Sequence, residues 1–225
     1  MKGKILLSVL TVLLVFFVSC DLPVRTTITP EKQDIPLEYK YELFEPDQNN
    51  AGKYIFEIND KSYLRPTGYT FWSENYTNSR SSFEGINYLT EKSRGSSQSG
   101  YGIVFCCKRD TSSGNVYFLA VMINDKKEYN IGKVVNGKFT SLTSGWKKCI
   151  YLTAGTDEIL IRYLTSGENK NKFELSLNGY SVEYFVDQEN PITDFTGTKY
   201  GFLVCIGPNE DFDNSSVKVI FEKKF

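Results

Sequence analysis

The chain has 225 residues, 26 basic and 27 acidic side chains, 40% hydrophobic residues and no histidine. Near-neutral charge without a basic face argues against nucleic acid as a partner. Without histidine there is no Ser-His or Cys-His dyad and no imidazole-ligated zinc or copper, so any chemistry rests on carboxylates, Lys, Tyr or Cys.

Lys2 and Lys4 precede an apolar run from Ile5 to Val18, broken only by Ser8 and Thr11. As a helix it reaches about 21 Å, short of a hydrocarbon core of about 30 Å, so it reads as a secretory signal rather than a spanning segment. Its end, Phe17-Val18-Ser19-Cys20-Asp21, resembles the lipobox of bacterial lipoproteins, with Phe17 where leucine is usual. The resemblance implies cleavage after residue 19, diacylglycerol on the Cys20 thiol and a stable hold on a membrane. The expected place is the bacterial cell envelope, at the outer membrane or cell surface rather than the inner membrane, although Asp21 resembles an inner-membrane retention signal. Removing residues 1–19 takes away two lysines and no acid, leaving 24 basic against 27 acidic side chains.

Residues 20–50 carry four of the seven prolines and show no sustained periodicity. They read as a tether between lipid and domain, with one short strand expected over Tyr39 to Phe44.

From Lys53 the chain becomes a series of short β-type runs divided by turn signals, from YIFEI (54–58) through YGIVFCCK (101–108) and VYFLAVMI (116–123) to VKVIFEKKF (217–225). Many short strands without intervening helices predict an all-β, antiparallel sandwich over residues 51–225. A chain of this length buries a core without disulfides. Tyr69, Trp72 and Tyr76 border the polar run SENYTNSRSS and are the candidate platform for a sugar ring. Phe71 and Trp72 alternate, so one of them points into the core. Cys106 and Cys107 likewise face opposite ways. Export permits disulfides among Cys106, Cys107, Cys149 and Cys205, and buried free thiols fit as well.

Leu177-Asn178-Gly179-Tyr180 is the clearest turn, because Asn-Gly accepts the positive φ angles of a type I′ hairpin. A regular ladder pairs Leu175 with Val182 and Phe173 with Tyr184, and it opposes Glu174 to Glu183. Opposed carboxylates repel. They are neutralised by a lysine on the next strand, hold a cation, or act as a catalytic pair at the spacing of a retaining glycosidase.

Four segments together, GYGIVFCCKRD (100–110), NVYFLAVMINDKKEYNIGKVVNGKFTSLTSGW (115–146), NKFELSLNGYSVEYFVD (171–187) and GTKYGFLVCIG (197–207), resemble the bacterial concanavalin A-like (laminin G-like) lectin and glucanase domains. The resemblance implies a jelly roll over about residues 54–225, with Trp146 in the core, and it leaves function open. The laminarinase-type members carry E-x-D-x-x-E on one strand, and this chain has no such spacing. Asn209, Asp211 and Asp213 echo the start of a calcium loop, but Asn214 and Ile220 stand where an EF-hand needs Gly and Glu. No cofactor is expected, with calcium at that loop the single exception. The function expected is a lipid-anchored envelope protein whose lectin-like module binds a glycan or a surface protein without catalysis. A carboxylate-dependent glycoside hydrolase and a purely structural envelope lipoprotein are the alternatives.

Replacing Cys20 with Ser is expected to leave an unprocessed precursor without a lipid adduct, read by intact mass spectrometry; normal processing of that variant overturns the lipobox.

Overall fold

A computed structural model describes residues 37–110 and 112–224; the signal segment, Cys20 and the first part of the tether lie outside them. In chain order the strands are β1 (Leu37–Tyr39), β2 (Phe44–Pro46), β3 (Lys53–Ile58), β4 (Tyr69–Trp72), β5 (Tyr76–Thr77) and β6 (Ile86–Arg94). Then come β7 (Gly100–Arg109), β8 (Val116–Asn124), β9 (Glu128–Val135), β10 (Lys138–Ser141) and β11 (Lys147–Lys148). The last are β12 (Thr156–Tyr163), β13 (Phe173–Leu177), β14 (Tyr180–Phe185), β15 (Lys199–Ile206) and β16 (Val217–Lys223).

They form two sheets. The larger runs β1-β4-β15-β7-β8-β9-β10, with β5 beside β15 and β11 beside β9, and the smaller runs β14-β13-β12-β6-β16-β3-β2. Only β1 and β4 pair in parallel among the described ladders. Strand β6 shows how sequence makes the layer: Ile86, Tyr88, Thr90 and Lys92 turn inward in alternation with outward residues. The inward faces meet through aromatic rings. Phe202 stacks on Phe221 at 4.4 Å between centroids, Tyr88 meets Phe202 edge-on at 5.2 Å, and Phe105 meets Phe173 at 5.2 Å. Such offset and edge-on pairs add to the area term of burial. The all-β sandwich is thus the architecture present.

Two boundaries differ from the sequence reading. Residues 37–46 belong to the sandwich rather than to the tether. β1 extends the larger sheet and β2 the smaller, and Phe44 is buried against Phe56 and Phe202. The expected strand over Tyr39 to Phe44 is instead two strands separated by a 3-10 turn at Tyr41–Leu43.

The second correction concerns the hairpin. Asn178 and Gly179 adopt φ of 51° and 83°, so the predicted turn forms. Leu177 faces Tyr180 and Ser176 faces Ser181, but the register then slips, and Leu175 pairs with Glu183, Glu174 with Tyr184 and Phe173 with Phe185. Val182 is the extra residue of a β-bulge, and a one-residue slip turns every later side chain to the other face. Glu174 and Glu183 are therefore not an acidic pair. Glu174 takes Arg162 of the neighbouring strand at 2.7 Å. Glu183 reaches across to the other sheet, accepting from Lys147 at 2.6 Å and from the Tyr129 hydroxyl at 3.0 Å.

A second bulge interrupts β7 between Phe105 and Lys108, with Cys106 at a φ of 54°. It sends Cys106 into the inter-sheet core and Cys107 into a separate cluster on the outer face of the larger sheet. All four described cysteines are free thiols. The outer cluster also holds Trp72, Val104, Phe118, Ala120, Met122 and Leu203. Trp72 packs at 4.6 Å from Phe118 and 5.0 Å from Tyr39 and is 4% exposed.

Asn178 does more than permit the turn. Its amide donates to the Tyr151 carbonyl and to Asp157 Oδ1, both at 2.7 Å, and its Oδ1 accepts from the Glu158 amide at 2.7 Å. Asn178→Ala removes all three bonds and leaves the buried Asp157 short of a donor, so a loss of about 2–3 kcal/mol is expected in chemical denaturation. Trp72→Ala is expected to lower stability by about 3–5 kcal/mol, as truncation of a packed aromatic does; unchanged denaturation midpoints contradict these assignments.

Candidate functional site: a groove at one end of the larger sheet

The three aromatic candidates do not share a face. Trp72 lies in the outer cluster, whereas Tyr69 and Tyr76 pack against the inter-sheet core. The Tyr69 hydroxyl donates to Glu38 at 2.7 Å, and burial pushes its pKa up to about 12. Tyr76 stacks on Tyr200 at 4.9 Å, and burial likewise raises its pKa. Period-two alternation separates Trp72 from Tyr69 and leaves no flat platform between them. Trp146 also departs from expectation. A Cβ on Gly100 would sit 2.9 Å from its ring, so the indole lies over that glycine on the outer face of the sheet, 40% exposed.

The suggested calcium loop has other business. Asp211 accepts from the Asn214 amide at 2.7 Å, and Asp213 pairs with Lys61. No cluster of three or more His, Cys, Asp or Glu side chains suited to a metal exists among the described residues.

A different place has the shape of a binding site. A cavity of about 620 Å³ opens between the β7–β8 turn, the β9–β10 turn and the loop at 190–194. That volume lies in the range of small-ligand clefts. Val116, Tyr117, Val135, Pro191 and Ile192 supply its apolar surface, and Lys108, Asp110, Asn115, Asn136, Thr193 and Asp194 its polar rim.

Each wall is held rigidly. Asp110 closes the β7–β8 turn by accepting from the Ser112 amide at 2.9 Å and from the Ser112 and Ser113 hydroxyls at 2.6 and 2.7 Å. The hydroxyls of Ser112 and Ser113 hold its carboxyl well below the usual carboxylate range. Asn136 and Gly137, with φ of 52° and 78°, form a second Asn-Gly hairpin in which Val135 faces Lys138.

The third wall hangs from two buried anchors. Asp187, 3% exposed, accepts from Lys133 Nζ at 2.9 Å, the Tyr117 hydroxyl at 3.1 Å, the Glu189 amide at 3.1 Å and Asn190 Nδ2 at 3.2 Å. Burial pushes this carboxyl up, and Lys133, Asn190 and the amide together bring it below its ordinary value. At the other end Phe195 packs against Phe83, Tyr163 and Phe173, and Asn78 donates to its carbonyl at 2.9 Å. Lys108 spans the groove to the Asp194 carbonyl at 3.3 Å.

The side chains of Asn115, Asn136 and Thr193 make no hydrogen bond to other described residues. All three residues line the groove and are exposed. Asp194 is held below its ordinary pKa by the Thr196 amide, so both carboxyls of the rim are anions at neutral pH.

Sequence inspection missed this site. The second Asn-Gly pair was a readable signal for one wall, but nothing local announces that residues 108–117, 135–136 and 190–194 meet.

No protein-family model matches the chain, and no curated protein does. Solved structures do resemble it. A glycoside hydrolase family 16 endo-glucanase from Bacteroides ovatus shares 8% identity over 84% of this chain and 87% of its own, with a TM-score of 0.51. A second Bacteroides ovatus family 16 enzyme, from a mixed-linkage glucan locus, shares 9% over 85% and 87% with a TM-score of 0.50. The carbohydrate-binding module CBM66 from Bacillus subtilis shares 12% over 83% and 96%, with a TM-score of 0.43. At such identities the likeness concerns the fold, which is the concanavalin A-like jelly roll that the sequence resembles.

Proposed function

We propose that the protein is a lipid-anchored envelope protein whose jelly roll binds a carbohydrate chain in the 108–117/190–194 groove and does not hydrolyse it. The groove carries this reading: an apolar surface with Tyr117, rimmed by residues with amide and hydroxyl side chains, suits the mixed apolar and hydroxylated surface of a sugar. Jelly-roll neighbours that act on or bind carbohydrate lend support. The anchor rests on the lipobox at Cys20.

The electrostatics favour binding over turnover. Glycoside hydrolysis needs one carboxylic acid kept protonated by a raised pKa. Neither carboxyl of the groove rim is of that kind, since hydrogen bonds hold both Asp110 and Asp194 below their ordinary values. Neutral hydrogen bonds on a solvated rim each add little, so affinities in the micromolar to millimolar range follow, and display of many copies on one membrane raises avidity.

The test is a glycan array with the mature chain, followed by titration calorimetry on β-glucan oligosaccharides and a reducing-sugar assay. Asn115→Leu and Thr193→Val are expected to weaken binding roughly five- to tenfold each without changing the melting temperature, and binding should stay level from about pH 5 to 8 because the rim carboxyls remain ionised. A blank array favours the structural alternative. Sugar release that disappears in Asp110→Asn or Asp194→Asn establishes the hydrolase.

A further inference from the structure

The groove occupies one end of the larger sheet, where Arg109 of β7 pairs with Val116 of β8. The opposite end of the same sheet carries a surface of another character. The β8–β9 turn meets the 146–152 loop there, with the Cys149 amide donating to the Lys127 carbonyl at 2.9 Å and Lys148 Nζ to the Lys126 carbonyl at 3.0 Å. The Asn178-Gly179 turn joins them through the bond from Asn178 to the Tyr151 carbonyl. Three apolar side chains project from this tip. Ile150 is 86% exposed and Tyr180 57%, and Tyr151 stacks on Tyr180 at 4.2 Å, within 8° of parallel.

Four lysines surround them. Lys147 and Lys148 each pair with one glutamate, Glu183 and Glu128, while Lys126 and Lys127 form no ion pair among the described residues. The same turn carries Asp125, paired with Lys92, and the Asn178 turn rests on the buried Asp157, so the lysines leave the tip a small positive excess, on its exposed side at Lys126 and Lys127. Exposed aliphatic and aromatic residues ringed by lysine suit the interface of an anionic bilayer, where the rings settle at headgroup level and lysine meets phosphate. A glycan offers no counterpart for a protruding isoleucine.

The direction of the chain agrees. Leu37 pairs with Thr70, Thr70 with Cys205, and Cys205 with Gly100. One residue on, Tyr101 pairs with Ile123, and in the next ladders Asn124 pairs with Glu128 and Glu128 with Lys148. The residue where the chain enters the sheet thus lies in the same transverse row as the tip. β1 runs from Leu37 toward the groove end, since Tyr39 pairs with Trp72 and Leu203 with Gly102. The 16 residues between Cys20 and Leu37 reach at most about 60 Å.

We propose that this tip is a membrane-docking surface for anionic phospholipid headgroups, which holds the domain with its groove turned away from the bilayer. Its biological setting rests on the lipid-anchored reading of Cys20, but its affinity for lipid does not.

The chain produced without residues 1–19 and carrying Cys20→Ser, and therefore with neither signal segment nor lipid of its own, separates the two. In co-sedimentation it is expected to bind vesicles of equimolar phosphatidylglycerol and phosphatidylcholine, to bind phosphatidylcholine alone more weakly, and to release in high salt. Ile150→Asp and the double change Lys126→Glu/Lys127→Glu are each expected to lower the partition coefficient about tenfold or more with an unchanged melting temperature. Tyr41→Asp, at an exposed ring beyond the other end of β1, should leave it unaltered. Binding to neither vesicle, or binding that survives both tip substitutions, overturns the proposal. A failed anchor shows separately, as an intact mass without acyl chains on the wild-type chain.

Discussion

The stacking of Phe202 on Phe221 joins an interior strand of one sheet to an interior strand of the other, and the remaining architecture depends on that contact. No disulfide links the described cysteines and no helix longer than a 3-10 turn covers either sheet among the described residues. Cohesion therefore falls to apolar area between the layers. Phe44, Tyr88 and Tyr54 close around the Phe202 ring, and the Phe83–Phe105–Phe173–Phe195 cluster repeats the device nearer the groove. Fully burying a ring of this kind contributes about 1.5–3 kcal/mol, enough for a few such contacts to decide whether the sheets stay together.

Loops are held by buried polar residues rather than by further apolar packing. Asp187 and Asn178 occupy equivalent roles at opposite ends of the molecule, each satisfying several donors or acceptors of a loop that has no regular partners. Lys92 does the same for the turn before β7, donating to the Ser99 carbonyl at 3.0 Å and pairing with Asp125 at 3.0 Å while its side chain is buried. A buried charge is tolerated when its hydrogen-bonding capacity is filled. The result is a scaffold with two differentiated ends, one carrying the groove and the other the exposed side chains of Ile150, Tyr151 and Tyr180.

The bulges in β7 and β14 give the molecule much of its individuality. In β7, the bulge at Cys106 lets adjacent cysteines serve the core and the outer cluster at once. In β14, the extra residue at Val182 rotates Glu183 off the face that Glu174 occupies and makes it a strut between sheets through Tyr129 and Lys147. Two carboxylates that a regular ladder sets against each other thereby acquire separate cationic partners, and the repulsion expected of a direct pair never arises.

Period-two alternation, turn residues and strand length are local properties, and they were legible: the longer strands from β3 to β16 lie where the apolar runs place them, and the Asn178-Gly179 hairpin closes at its predicted residues. The strands β1, β2, β5 and β11 were not, because two or three residues carry no readable period and owe their conformation to the sheet edge they join. Which of two alternating aromatics faces the core is also beyond local pattern. Trp72 and Phe71 are both buried, on opposite sides of one sheet, since the outer face is itself apolar. The bulges, the groove and the tip were decided by tertiary structure alone. The groove and the tip depend on the meeting of segments 86 and 22 residues apart in sequence, from Lys108 to Asp194 and from Lys126 to Lys148, and periodicity within a strand does not encode which distant loop will face it.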